Sequence, residues 1–133
     1  MRGALVALAV GAAAAITFLR WRPFRVEIDG SSMRPALEPG DWALAISARS
    51  VRRGDVVVLE HPERPGFELV KRVVAVGGDA VLERRPIFPG ELWVEGDDPS
   101  ASADSRRFGP VRREDVRARL VAVWWPPRRC GLL

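Results

Sequence analysis

FELVKRVVAV (residues 67–76), closed by GGD (77–79), is the stretch on which the fold turns. Side chains alternate along an extended chain. Leu69, Lys71, Val73 and Ala75 therefore share one face, and Val70, Arg72 and Val74 share the other. The run reads as a strand that stops at a glycine turn. The same signature recurs outward from it, in FRVEI (24–28), WALAI (42–46), DVVVLE (55–60), AVLE (80–83), LWVEG (92–96) and RLVAVWW (119–125). Turn signals separate these runs: RRGD (52–55), RPG (64–66), FPG (88–90) and GDDPS (96–100). Many short strands joined by Gly/Pro turns predict a mainly β chain, a small barrel or sandwich. No second helix is long or periodic enough to predict, and the chain carries no internal repeat.

Within that strand, Lys71 is a compositional exception. The 133-residue chain has 21 basic residues and a formal net charge of +4, yet Lys71 is its only lysine. A chain rich in Arg, Ala, Gly and Pro with no Tyr points to codon bias, so a surface arginine says little about an anionic partner. A lysine kept against that bias says more. The chain has one cysteine, Cys130, and one histidine, His61. No internal disulfide can form, no His/Cys/carboxylate cluster has metal-ligand spacing, and no cofactor is implied.

The amino-terminal run GALVALAVGAAAAITFL (3–19) is uncharged, with Arg2 before it and Arg20, Trp21 and Arg22 after it. At about 1.5 Å per residue it is at the short end of what spans a bilayer. Trp21 suits the membrane interface. The run continues through Ile16, Phe18 and Leu19 to the arginines, which favours an uncleaved anchor over a cleaved secretory signal or a buried core helix. The organisation expected is a membrane anchor over residues 1–22 and one folded domain over 23–133. Arg20, Arg22 and Arg25 on the carboxyl-terminal flank oppose export of that domain by the positive-inside rule. The folded part holds a modest core, so the bilayer can cover some of its apolar surface. Trp42, Trp124 and Trp125 are candidates for that contact, and equally for the core.

Candidate nucleophiles are the loop serines Ser31, Ser32, Ser100, Ser102 and Ser105. A serine hydroxyl needs a base. His61 lies in EHPERPG, which reads as a surface turn with His61 on its rim. The other base is a lysine amine, which must be neutral to accept a proton. Arginine stays protonated and cannot serve. In water only roughly 0.1% of lysine is neutral at physiological pH. Burial against apolar neighbours disfavours the ammonium and brings the pKa toward the useful range. Lys71 has the apolar face this requires, and Arg72 points away. Composition and pattern alone leave Lys71 either a base or an edge-strand lysine kept by chance.

GSSMRPALEPGD (30–41), RRGDVVVLE (52–60), VKRVVAVGGD (70–79) and EGDDPSASADSRRFGPV (95–111) resemble, in order, four motif blocks of the type I signal peptidases. The resemblance covers most of residues 30–111. It implies a signal-peptidase-like β fold with an N-terminal transmembrane helix, and a membrane-anchored serine endopeptidase acting by a Ser-Lys dyad. By that likeness Ser32 is the nucleophile, Lys71 the general base and Ser102 the residue that orients the lysine. Gly30, Ser31, Ser32 and Met33 form the oxyanion and substrate-binding loop. Pro35, Asp79, Asp104 and Arg106 shape the site. Implied partners are the lipid bilayer and preproteins with small residues before the cut, not nucleic acid. The implied location is the plasma membrane, single-pass, with the catalytic domain on the extracytoplasmic side. Three positions depart from the pattern: Gly30 stands where some members have a serine hydroxyl, Ala36 where Thr is usual, and Asp98 where Asn usually follows Gly-Asp. The short chain is similar to mitochondrial inner-membrane peptidases and to proteases that mature nickel superoxide dismutase. A non-catalytic, preprotein-binding relative is the other reading of the same resemblance. A nucleic-acid-binding barrel would use Trp93 or Phe108 as exposed aromatics.

Overall fold

In the computed structural model, residues 2–79 and 86–133 are described. The chain opens with helix α1 (Arg2–Trp21). At about 1.5 Å per residue it is roughly 30 Å long. It is apolar enough to cross a membrane, with a mean hydropathy of 1.9 and none of its span buried against the rest of the chain. Within it Thr17 Oγ1 donates to the Ala13 carbonyl, and near its end the Arg20 carbonyl accepts from Arg49 Nε at 3.2 Å.

Eight strands follow among the described residues: β1 (Phe24–Glu27), β2 (Trp42–Ser47), β3 (Val56–His61), β4 (Arg64–Val76), β5 (Glu91–Glu95), β6 (Val111–Arg112), β7 (Val116–Trp125) and β8 (Gly131–Leu132). They form one antiparallel sheet in the order β1-β2-β7-β3-β4-β5-β6. β8 pairs with residues 122–123 of β7, the stretch beyond the part that β3 takes up. The chain is thus mainly β, as the alternation predicts. The strands β6 and β8 were not legible, because two residues are too few to show a period. A four-residue helix, α2 (Ser105–Phe108), lies between β5 and β6. The AVLE run (80–83) lies outside the described residues.

Both faces of the sheet are covered. Ile28, Met33, Leu37, Ala45, Val56, Val58 and Leu120 pack on one side, and Val57, Leu59, Val73, Leu92, Val94 and Val111 on the other. The unbroken apolar run of β3 explains this: residues 56–59 are all buried, alternately feeding the two clusters. β4 alternates instead. Lys71, Val73 and Ala75 are buried while Arg72, Val74 and Val76 are only half-buried.

Trp42, Trp124 and Trp125 gather at one end of β2 and β7, with the Trp42 ring 5.5 Å from that of Trp124 and 6.3 Å from that of Trp125. The Arg25 guanidinium lies 4.3 Å over the Trp42 ring. Trp124 and Trp125 are exposed, as are Phe24 and Leu44 nearby in the sheet. This apolar surface is therefore outside the core, although Trp42 itself is half-buried.

Candidate active site

Lys71 is delivered by β4 and Ser32 by the loop between β1 and β2. That loop is pinched at its base: Ile28 N–H donates to the Asp41 carbonyl and Gly40 N–H to the Ile28 carbonyl. Inside it Arg34 N–H reaches the Ser31 carbonyl and Leu37 N–H the Met33 carbonyl. The side chains of Met33 and Leu37 plug into the first core cluster. With Met33 anchored inward, the adjacent Ser32 presents its hydroxyl to β4. Lys71 Nζ donates to Ser32 Oγ at 2.7 Å.

Lys71 is only 3% exposed. Its register partner across the sheet is Val57, so its stem lies among apolar side chains. Burial lowers its pKa from the ordinary lysine value; the negative charge of Asp104 opposes that, and the positive charge of Arg106 adds to it. With the amine neutral, the same contact reverses, and the Ser32 hydroxyl donates to the Nζ lone pair. This arrangement can move a proton between the two groups.

Asp104 is the counter-charge. It caps α2, accepting from Arg106 N–H, and it also accepts from Gly96 N–H at 2.9 Å, Ser102 Oγ at 2.5 Å and Arg106 Nε at 2.9 Å. Burial alone would raise its carboxyl pKa. The hydrogen bonds from Arg106, Gly96 and Ser102 outweigh burial and hold it well below the usual carboxylate range. Asp104 is thus ionised and spoken for, which leaves Lys71 bonded to the serine and not to a carboxylate.

Three consecutive residues tie these parts together. Gly96 donates to Asp104, Asp97 takes a two-pronged ion pair from Arg72 (2.8 and 2.7 Å), and Asp98 N–H donates to the Ser32 carbonyl at 2.9 Å. Gly96 must be glycine for a spatial reason. An added Cβ would overlap the Ser32 carbonyl oxygen and the Ser102 side chain. Arg72 also reaches the Gly54 carbonyl, so it braces the scaffold from the face opposite Lys71.

Other residues singled out from sequence fall as follows. Ser102 does not bond Lys71 among the described residues; its hydroxyl goes to Asp104, two residues on, which is nearer along the chain and charged. Asp79 is not in the site: it accepts from Val76 N–H and closes an exposed turn beyond the end of β4. Pro35 lies in the Ser32 loop, and Arg106 flanks Asp104 with a longer ion pair of 3.8 Å to Glu95. Among the described residues the Ser32 N–H has no protein acceptor, and Gly30 has open space around its Cα. Ser105 is buried, with its hydroxyl accepting from Val94 N–H. His61 is buried as well, not on a rim. Phe67 and Phe108 cover its ring at 6.1 and 5.3 Å, and its Nδ1 accepts from Glu63 N–H. Trp93 is half-buried and donates to Glu95. Among the described residues no group of His, Cys, Asp and Glu could hold a metal ion.

Beside the dyad runs a cleft of about 330 Å³, lined by Val26–Gly30, Ser32 and Met33 on one side and by Phe67–Lys71 on the other, with Val58 at its floor. Among the described residues β1 pairs only with β2, and β5 pairs with β4 only from Arg72 onward. Two strand edges without partners among the described residues therefore border one cleft that leads to Ser32.

Comparison with known proteins gives the same neighbourhood. The model of a family described as signal peptidase, peptidase S26, matches residues 2–84 and 81–125. Mitochondrial inner membrane protease subunit 2 of Mus musculus is 38% identical over 130 residues, covering 86% of this chain and 74% of that one. The Schizosaccharomyces pombe subunit 2 is 37% identical, covering 78% and 66% respectively. Subunit 1 of Xenopus tropicalis is 33% identical, covering 78% and 70%.

Two outcomes follow from this geometry. The lowered Lys71 pKa means that the folded state binds this proton less tightly than the unfolded state. The cost is full below the folded pKa and disappears as pH rises toward the ordinary lysine value. Lys71→Met should therefore raise the thermal midpoint at neutral pH by on the order of 4 °C, with the gain shrinking toward pH 10. A midpoint unchanged or lowered at every pH contradicts the reading. Gly96→Ala should cost about 1–3 kcal/mol through overpacking against the Ser32 loop, measured by denaturant unfolding in detergent.

Proposed function

The chain belongs to the signal peptidase family, peptidase S26, and from that membership we propose that it is a membrane-anchored serine endopeptidase that removes N-terminal leader segments from preproteins by a Ser-Lys dyad. The observation that carries the proposal is the 2.7 Å contact between Ser32 Oγ and an almost fully buried Lys71 Nζ. Neutral Lys71 accepts the Ser32 proton as Oγ attacks the scissile carbonyl carbon. The Ser32 N–H is placed to hold the oxyanion. The Lys71 ammonium then returns the proton to the leaving amine. A water attacks the acyl-enzyme with Lys71 again the base, and Ser32 is released.

The substrate would enter the cleft as an extended strand between the free edges of β1 and β4, by β-augmentation. Side chains of such a strand alternate, so every second one faces the apolar wall of Val26, Ile28, Met33 and Val70. A cleft this size suits small residues at those positions. Ser102, together with Arg106, acts on Lys71 through Asp104, by holding the one carboxylate whose charge opposes the lowered amine pKa.

Residues 1–22 serve as a single-pass anchor and 23–133 as the catalytic domain. The apolar surface around Trp124 and Trp125 rests on the bilayer. An extracytoplasmic site at the plasma membrane follows from the family resemblance. The relatives' names place them instead at the mitochondrial inner membrane.

Purified protein in detergent, given a preprotein with small residues before the cut and assayed by mass of the products, tests the mechanism. Ser32→Ala and Lys71→Arg should each lower kcat by at least about 10⁴-fold. Ser31→Ala should stay within a few-fold of wild type. Cleavage retained by Lys71→Arg, which keeps the charge but cannot act as a base, sinks the proposal. Gly30→Ser adds a hydroxyl where there is open space. It should raise kcat about 10-fold, a fraction of the 10²–10³ that one oxyanion donor can be worth; an unchanged kcat would mean that this hydroxyl does not reach the oxyanion.

A further inference from the structure

The Ser32 loop is held from outside by a residue far along the chain. Asp41, which ends the loop, is 1% exposed, and its carboxylate accepts from Glu38 N–H at 2.9 Å. Both of its oxygens also accept from Arg129 Nε, each at 2.9 Å, across 88 residues of sequence. The same guanidinium donates through Nη2 to the carbonyls of Pro35 and Ala36 at 3.3 Å, and its Nη1 lies 3.5 Å from Glu38. All three nitrogens of one arginine therefore touch the segment 35–41, three residues past the serine.

Arg129 is itself fixed. It ends the 3₁₀ turn Pro127–Arg129, with its N–H on the Pro126 carbonyl. The chain then runs directly into β8, paired to β7. The guanidinium is thus mounted on the main sheet and reaches back over the loop. A planar fork can satisfy a carboxylate and two carbonyls at once, whereas a lysine ammonium cannot reproduce that geometry.

We propose that Arg129 is a positioning residue for the dyad: through Asp41, Pro35 and Ala36 it sets the position of the loop, and so keeps Ser32 Oγ within proton-transfer distance of Lys71. The idea rests on Ser32 as nucleophile. A displacement of about 1 Å in such a group can cost roughly 10²-fold in rate. Residues 35–41, which Arg129 holds, line no part of the substrate cleft, and Met33 at its wall is anchored in the core, so the loss belongs in kcat and not in KM.

The test uses the full-length protein in detergent with the preprotein substrate. Arg129→Lys should lower kcat about 10-fold and Arg129→Met about 100-fold, each with KM within two-fold of wild type. Arg128→Met, an exposed neighbour, should leave both constants unchanged. Arg129→Met leaves the Asp41 carboxylate buried without a counter-charge, held by the Glu38 N–H, and can unfold the protein. The paired variant Asp41→Leu/Arg129→Met removes that charge, and its folded fraction is read by near-ultraviolet circular dichroism. A folded paired variant with kcat still lowered and KM unchanged supports the proposal. Wild-type kcat in it, or activity that only follows the folded fraction across the series, overturns it. If Ser32→Ala cleaves normally, the dyad reading has failed instead. If Ser32→Ala is inactive while the Arg129 variants keep wild-type kcat, this inference alone has failed.

Discussion

A lysine amine taken almost entirely out of water and set against a serine hydroxyl is the constraint around which the chain is arranged. Removing an ammonium from water is unfavourable unless a partner charge compensates it. A carboxylate in direct contact would compensate it and would also keep it protonated. The structure takes an intermediate course. Asp104 is close enough to act on Lys71 electrostatically, but its oxygens are occupied by Gly96, Ser102 and Arg106. Arg106 serves twice, since its bond keeps Asp104 ionised while its own charge works against the ammonium.

That balance requires three chain segments to meet at fixed distances. β4 contributes the lysine, the β1–β2 loop the serine, and residues 96–106 the acidic anchor. Sheet pairing alone does not bring them together. The short segment 96–98 does, because each of its residues bonds to a different one of the three. The side chain missing at Gly96 lets the Ser32 loop and Ser102 approach closely enough, and Arg72 adds an ion pair on the reverse face. The Ser-Lys pair is thus a property of the packing and not of one motif.

Much of this could be read from the residues. The alternation in 67–76 gave the phase of Lys71, and the burial along β4 follows it. The lone lysine stood out because arginine cannot offer a neutral amine, and the structure sets that amine against Ser32. Where a long-range partner decided the outcome, the residues were silent. Arg129 is one arginine among many, and nothing local marks Asp41 as its partner. EHPERPG has the composition of a surface turn, yet Phe67 just beyond it and the distant Phe108 close over His61. Asp79 sits in a motif block with Lys71, but an Asp can satisfy its own turn, and here it does. Ser102 could have bonded either Lys71 or Asp104. A hydroxyl rotor carries no sign of which, and the ionised neighbour took it.

Because arginine has displaced lysine everywhere else, the chain offers amine chemistry at two places only: its amino terminus and Lys71. Exposed lysines normally consume an amine-directed electrophile long before it finds a buried one. Here no other lysine competes, and the remaining side-chain amine is the one whose protonation burial disfavours. An aldehyde small enough to enter between β1 and β4 would meet a single amine there. Composition has thereby given this molecule a selectivity toward covalent reagents that its fold alone would not.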